Sequence, residues 1–214
     1  GEFPVIRKPM RQWVLKITEY ANKLLEGLEE IDWPKSLKSL QTNWIGKSSG
    51  LEIDFKIKDS NNFISIFTTR PDTIYGVSYL AISPKHNLIK DLVTDSQKDL
   101  VEKYLLDYNQ ITNRELKINN NWTGVFTGSY AINPINNTIV PIYISNYVVP
   151  EFGLGAVMGV PAHDETDFKF ATNLNLEIKK VIECDSLPFT GDGKHINSED
   201  LNGLDIVEAK EKVV

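Results

Sequence analysis

The heptapeptide Leu51-Glu52-Ile53-Asp54-Phe55-Lys56-Ile57 alternates apolar and charged side chains without a break. Period two puts the four apolar residues on one face and the three charges on the other, a pattern that a helix cannot sort. From this point the chain must build a sheet that buries one face. The stretches "FISIFTT" (63–69), "TIYGVSYLAIS" (73–83), "GAVMGV" (155–160) and "LEIKKVIE" (176–183) carry the same β-rich texture. "GVFTGSYAINPINNTIVPIYISNYVV" (124–149) reads as strand, turn at Asn136-Asn137, strand. "SQKDLVEKYLLDYNQI" (96–111) predicts a helix, and "DIVEAKEKVV" (205–214) begins another.

Upstream the period changes. Met10, Trp13, Val14, Ile17, Ala21, Leu24, Leu25 and Leu28 recur at helical spacing. Asp32-Trp33-Pro34 stops that helix, and Pro34 can open a second one carrying Leu37 and Leu40. "NWIGKSSG" (43–50) is a turn or linker by its Gly and Ser content. The expected organisation is a helical connector over 1–49 and an α+β domain over 50–214. That domain is built around an antiparallel or barrel-like sheet with peripheral helices.

Charge and cysteine content narrow the function. The net charge of −6 leaves no excess of basic residues for gripping a long duplex, so any nucleic-acid contact should be small, such as a single-stranded end entering a pocket. The single cysteine, Cys184, allows neither an internal disulfide nor a multi-cysteine metal site, which points to a reducing compartment. No apolar run is long enough to span a bilayer and no secretory signal opens the chain, so no membrane partner is expected.

Three motifs could carry chemistry. In "VPAHDETDFKF" (160–170), His163, Asp164, Glu165 and Asp167 follow the apolar run "FGLGAVMG". Asp164 suits a helix N-cap that accepts the Asp167 amide, with Phe168, Ala171 and Leu174 as the buried face. His163, Asp164 and Asp167 could instead hold a divalent ion, although no second ligand group has recognisable spacing. A third reading has one aspartate cap the helix while the other binds an ammonium group. Capping and binding are compatible. The glycines of Gly153-x-Gly155-x-x-x-Gly159 resemble dinucleotide spacing only loosely, because Pro161 follows at once. They suit close backbone approach within a sheet. In "FTTRPDT" (67–73), Thr68, Thr69, Arg70 and Thr73 sit around a strand end and a proline turn. They could be a plain polar turn, or hydroxyls and a guanidinium aimed at a water, an oxyanion and a phosphate. No Ser or Cys nucleophile with a paired base is evident. His86 suits a surface or cap position, and "FTGDGKHINS" (189–198) suits a hairpin loop.

Taken together, "TTRPDTIYGVSYLAISPKH" (68–86), "TGVFTGSYAINPINN" (123–137), "GAVMGVPAHDETDFKFA" (155–171) and "FTGDGKHINSEDLNGL" (189–204) resemble the editing domain of leucyl-tRNA synthetases of bacterial or organellar type. "RKPMRQWVLKITEYANKLL" (7–25) and "WPKSLKSLQTNWIGKSSG" (33–50) resemble the segment that leads into that insertion. The valyl and isoleucyl relatives share "TTRP" and "PAHD", and "DTIYGVSYLAISPKH" with "MGVPAHDETDFKFA" favours the leucyl type. Where the family has Gly-Thr-Gly, this chain has Gly153-Leu154-Gly155, which removes a hydroxyl from the loop.

The resemblance implies hydrolysis of the ester between a wrong amino acid (Ile, Met or norvaline) and the 3′-terminal adenosine of tRNA(Leu), with leucine excluded. It implies an ammonium anchor at Asp167, assisted by Asp164. Met158, Val160 and His163 would line the pocket, and Thr73 would collide with the branch of leucine. Thr68 and Thr69 would handle the water and the oxyanion, and Arg70 the phosphate or ribose. Neither metal nor cofactor is expected, ATP being needed only by a synthetic domain whose His-Ile-Gly-His and Lys-Met-Ser-Lys-Ser signatures do not occur here. The chain is thus expected to be an excised deacylase domain without synthetic activity. It should act as a monomer in the cytoplasm, or in an organelle matrix or stroma. The rival expectations are a valyl- or isoleucyl-type editor and a module that binds a tRNA end without turnover.

Overall fold

A computed structural model describes residues 10–47, 50–110, 122–150 and 153–213. The described residues fall into two compact units, one ending before Gly50 and the other beginning there.

The first unit is a helical hairpin. A 3-10 turn, Ile17–Tyr20, runs into α1 (Ala21–Glu30), and Pro34 caps α2 (Lys35–Ile45). Pro34 leads α2 as expected, and Gly46 ends it in the left-handed conformation that glycine adopts without a Cβ penalty. The helix predicted from Met10 begins later, because Met10, Trp13 and Val14 are exposed and have nothing in the unit to pack on. Leu28, Leu24 and Gly27 meet Trp33, Trp44 and Ile45 around a shallow apolar hollow between the helices. The linker residues Ser48 and Ser49 lie outside the described residues.

The second unit holds a six-stranded sheet in the order β2-β1-β4-β5-β3-β6. Its strands are β1 (Leu51–Ile57), β2 (Phe63–Thr68), β3 (Tyr79–Ile82), β4 (Gly124–Ile132), β5 (Ile139–Ser145) and β6 (Ala156–Gly159). All neighbours are antiparallel except β3 and β5. The α+β reading holds, with α3 (Ile89–Leu92), α4 (Lys98–Gln110), α5 (Glu165–Asn173) and α6 (Ile206–Val213) around the sheet. The sheet stays open. Its edge strands β2 and β6 approach each other, but no ladder joins them among the described residues. β6 has little to offer a further partner, since the Val160 amide is given to Asp167 and Pro161 has none.

Alternation decides the two faces. Ile53, Phe55, Ile57, Leu80, Ile82, Ile142, Ile144, Ala156 and Met158 point into the main core. Tyr79 and Ala81 point the other way, onto Phe170 and Ala171 of α5. Every residue of β3 is buried, because both faces of the strand are covered. Each fully buried large apolar side chain here contributes about 1.5–3 kcal/mol.

Two β readings shrink. Within 73–83, residues Pro71–Gly76 form a 3-10 turn and only Tyr79–Ile82 is strand. Within 176–183, a single bridge, Ile182 to His195, replaces the expected strand. That bridge, with the bonds from Glu183 N to Lys194 O and from Ile196 N to Val181 O, gives the 189–198 segment its hairpin-like pairing. The helix expected over 96–111 appears as α4, with Ile111 outside the described residues.

Candidate functional site

The register of β3 and β6 builds the site. They are antiparallel with Tyr79 opposite Gly159, so the start of β3 and the end of β6 lie at one end of the sheet. The turn entering β3 carries Arg70 and Thr73, and the turn leaving β6 carries Val160, His163 and Asp164. The approach is close, for a Cβ on Gly76 would come within 3.1 Å of Val160 Cγ1. Gly159 is required for the same reason, since a Cβ there would come within 2.2 Å of Tyr79 Cζ.

Asp164 caps α5. Its Oδ1 accepts the amides of Thr166 at 2.8 Å and Asp167 at 2.9 Å. The cap fixes the first turn and turns Asp167 inward, where it is buried. Asp167 Oδ1 accepts the hydroxyls of Tyr79 and Tyr147, each at 3.0 Å, and Oδ2 accepts the Val160 amide at 2.8 Å. An ionised carboxylate offers about four acceptor positions, so this arrangement leaves room for one further donor. Burial, reinforced by the negative charge of Asp164, raises the Asp167 pKa to about 6, against the pull of its three donors. Burial next to that carboxylate likewise pushes both tyrosines up, so their hydroxyls stay protonated donors.

The Thr68–Thr73 turn is held internally. Thr68 Oγ1 accepts the Arg70 amide at 3.0 Å, which leaves its own O–H to donate elsewhere. Thr69 is exposed. Thr73 is buried and donates both its amide, at 3.2 Å, and its hydroxyl, at 3.0 Å, to the Arg70 carbonyl. The hydroxyl is thereby committed, and the methyl is the part of Thr73 left to meet a neighbour. Arg70 forks onto Asp72, with Nε at 3.0 Å from Oδ1 and Nη2 at 2.8 Å from Oδ2. Its remaining N–H groups are unused by that fork.

His163 is occupied by the backbone. Its Nε2 accepts the amides of Val181 at 3.0 Å and Ile182 at 3.1 Å, so Nδ1 carries the proton and donates to Phe189 O at 3.0 Å. Burial lowers its pKa, which agrees with a neutral ring, although the Phe189 carbonyl pulls the other way. His163 pins the 181–189 segment to the end of β6, and neither ring nitrogen is left for a ligand. With Asp164 also turned to backbone donors, the metal alternative loses its ligand set. The described residues hold no group of three or more His, Cys, Asp or Glu placed to share an ion. Met158 on β6 and Val160 just beyond its end are both buried and pack in the main core. His86 is half-buried and its Nδ1 accepts the Leu88 amide, so it caps a turn.

Sequence reasoning missed Tyr79, Tyr147, Asp72 and His195. Tyr79 had one signal, and a distant one, because a glycine at 159 is what a large ring across the ladder demands. Asp72 and His195 bond across 123 residues of chain and had none.

Leu154, the departure from the family loop, has a φ of 65° and is largely exposed. A branched side chain in the left-handed region costs about 1–2 kcal/mol, and glycine returns part of that gain as lost backbone entropy. Leu154→Gly should therefore stabilise the chain by roughly 0.5–1 kcal/mol and raise its melting temperature by about 2 °C. A fall in melting temperature, read by thermal circular dichroism, would mean that Leu154 makes a contact worth more than its strain.

A family model described as the editing domain of leucyl-tRNA synthetase matches residues 42–214. The chain belongs to that family of aminoacyl-tRNA synthetase domains. Leucine--tRNA ligase of Ureaplasma urealyticum serovar 10 (strain ATCC 33699 / Western) is 54% identical over 98% of the chain, and that of Ureaplasma parvum serovar 3 (strain ATCC 27815 / 27 / NCTC 11736) is 53% identical over the same share. The chain spans 26% of the length of each. Among solved structures, the Agrobacterium radiobacter K84 agnB2 LeuRS, crystallised as a ternary complex with tRNA and LeuAMS, matches with a TM-score of 0.71 and 33% identity. That match covers 95% of this chain and 23% of the other. No helix among the described residues is long and apolar enough to cross a membrane.

Proposed function

We propose that this chain hydrolyses the ester linking isoleucine, methionine or norvaline to the 3′-terminal adenosine of tRNA(Leu), and spares leucine. The observation that carries the proposal is the buried Asp167 carboxylate, raised in pKa and short of one donor, at the end of the sheet where the Thr68–Thr73 turn also lies. An aminoacyl ester supplies the missing donor as its protonated α-amino group. A charge-assisted hydrogen bond to Asp167 then fixes the position of the ester carbonyl. Asp164 sets the orientation of Asp167 through the helix cap.

Thr68 and Thr69 orient the attacking water and donate to the oxyanion that forms on the carbonyl oxygen. Collapse of that intermediate breaks the bond to the ribose oxygen, which leaves with the proton that the water gives up. Arg70 offers its unused N–H groups to the phosphate or ribose of the tRNA end. Met158 and Val160 shape the apolar wall, the Thr73 methyl meets the branch of leucine, and His163 holds the wall in place. The reading needs neither metal nor cofactor, and its partner is the tRNA end, met by a monomer in the cytoplasm or organelle matrix where tRNA is charged.

The test is release of isoleucine from Ile-tRNA(Leu) by the chain at high protein concentration, with Leu-tRNA(Leu) and Thr-tRNA(Val) as comparisons. Turnover of the first alone supports the proposal. Binding of the tRNA end without turnover, or preference for Thr-tRNA(Val), overturns it.

A further inference from the structure

The turn that carries Thr73 is held from below by groups that take no part in the proposed hydrolysis. Asp72 is completely buried, and its Oδ2 accepts from Arg70 Nη2 at 2.8 Å and from His195 Nε2 at 3.2 Å. His195 is also completely buried. It is fastened to its own segment from both sides: its amide donates to Leu204 O at 3.0 Å, its carbonyl accepts the Gly203 amide at 2.8 Å, and its Nδ1 lies 3.2 Å from Leu204 O. The far end of the turn is held by Asn133, whose Nδ2 donates to Ile74 O at 2.9 Å. A buried carboxylate keeps one orientation only when donors reach it from more than one side. Here one side is Arg70, which is partly exposed, and the other is the imidazole.

We propose, resting on the editing reading, that His195 is a positioning residue for amino-acid discrimination: it locks Asp72, which locks Arg70, whose carbonyl holds Thr73. The chain of contacts is continuous, running from Leu204 O, which accepts the His195 amide, through the His195 Nε2, the Asp72 carboxylate and the Arg70 guanidinium to the Arg70 carbonyl and the Thr73 hydroxyl. Without the Nε2–H donor, Asp72 is held by Arg70 alone and a ring-sized space opens beside it. The carboxylate can then rotate, and the Arg70 backbone moves with it. Thr73 is displaced, and the branch of leucine meets less resistance. Asp167 lies on α5 and is held by Tyr79, Tyr147 and the Val160 amide, none of them on this turn. Any disturbance of Thr68, Thr69 or Arg70 falls on both substrates, so the ratio of leucine to isoleucine hydrolysis isolates the displacement of Thr73.

Two substitutions separate positioning from bulk stability. In H195Q the side-chain amide reaches the place of Nε2 and still donates to Asp72. In H195N it reaches the place of Nδ1, keeps the Leu204 contact and abandons Asp72. H195N should raise hydrolysis of Leu-tRNA(Leu) relative to Ile-tRNA(Leu) by about tenfold, while H195Q stays within about threefold of the parent ratio. Independently of turnover, the Arg70 Nε–H resonance should shift and exchange faster with solvent in H195N and hold its place in H195Q. Loss of both hydrolyses together in both variants, at a constant ratio and with a lowered melting temperature, would reduce His195 to a core residue and overturn the proposal. An unchanged ratio and an unchanged Arg70 resonance in H195N would overturn it too. If the parent chain turns over neither substrate, the editing reading fails and the resonance decides the positioning claim: a shift in H195N supports it, and no shift overturns it.

Discussion

Asp167→Asn should lower kcat/KM for Ile-tRNA(Leu) hydrolysis by about 100-fold or more and leave the fold intact. The loss follows from removing the charge of a buried hydrogen bond to the substrate ammonium, worth roughly 3 kcal/mol, which is about two decades in rate. The fold survives because the amide can be accommodated. Its oxygen can take the Val160 amide, and its NH₂ can donate to the hydroxyl oxygens of Tyr79 and Tyr147, which accept as readily as they donate. Asp167→Ala would be a poorer test, since it strands the Val160 amide and leaves the Tyr79 and Tyr147 hydroxyls, 3.0 Å apart, only each other, so that one of them has nothing to donate to. A buried donor without a partner costs about 1–3 kcal/mol. The sign of the pH dependence sharpens the experiment. The Asp167 pKa is raised from 3.8 to about 6, so between those values the native state keeps a proton that the unfolded state has released. This group therefore takes stability away as pH rises through the window, and the full loss is present above about 6. Activity moves the opposite way. The proposed anchor has to be an anion, so kcat/KM should fall as pH drops below about 6. Opposed trends in melting temperature and kcat/KM, both absent from Asp167→Asn, are the signature of an ionised anchor. An Asn variant that keeps the parental rate would remove Asp167 from the chemistry.

That anchor was half legible in the sequence, and the division has a physical cause. The Asp164 cap is a local device, decided within four residues, and its pattern can be read from the order Asp-Glu-Thr-Asp. The donors that tune Asp167 come from β3 and from the turn after β5, 88 and 20 residues away, and only the ladder brings them in. The same contrast explains the fold. The strand at Leu51–Ile57 is fixed by its own alternation, since one face must be dry and the other wet. The 176–183 stretch has the composition of a strand but forms a bridge only at Ile182, because its own Val181 and Ile182 amides go to His163 at the end of β6 and His195 opposite is tied to Leu204 and Gly203. The stripe from Met10 has helical spacing, yet spacing without a surface to bury it forms no helix until Ala21. His163 misled for a related reason. Proximity to acidic residues suggested a ligand-facing ring, whereas the backbone amides of Val181 and Ile182, which no side-chain pattern encodes, had already claimed it.

Thr73→Ser should let the chain strip leucine from Leu-tRNA(Leu) at least tenfold faster, while Thr73→Val should leave leucine protected. The two variants differ in which half of the side chain they keep. The hydroxyl donates to the Arg70 carbonyl at 3.0 Å, so it stabilises the turn, and the methyl alone is left to oppose a leucine branch. Serine keeps the bond and removes the methyl. A methylene-sized change in a packed pocket is worth about 1–3 kcal/mol, or roughly 10- to 150-fold in discrimination. Valine keeps the bulk and removes the hydroxyl. It should cost about 1 kcal/mol of stability, because a buried carbonyl loses one of its two donors and retains the Thr73 amide. Hydrolysis of Ile-tRNA(Leu) should change by less than about threefold in either variant, since the ammonium anchor and the water site lie on other residues. Initial rates with both charged tRNAs, together with thermal melts, measure all four quantities. The reverse pattern, with leucine stripped by the valine variant and spared by the serine one, would make the Arg70 bond the source of selectivity and the methyl a bystander. Parental behaviour in both variants would move the leucine barrier off Thr73 altogether, and Met158 and Val160, the buried wall across the same sheet end, would be the next residues to probe.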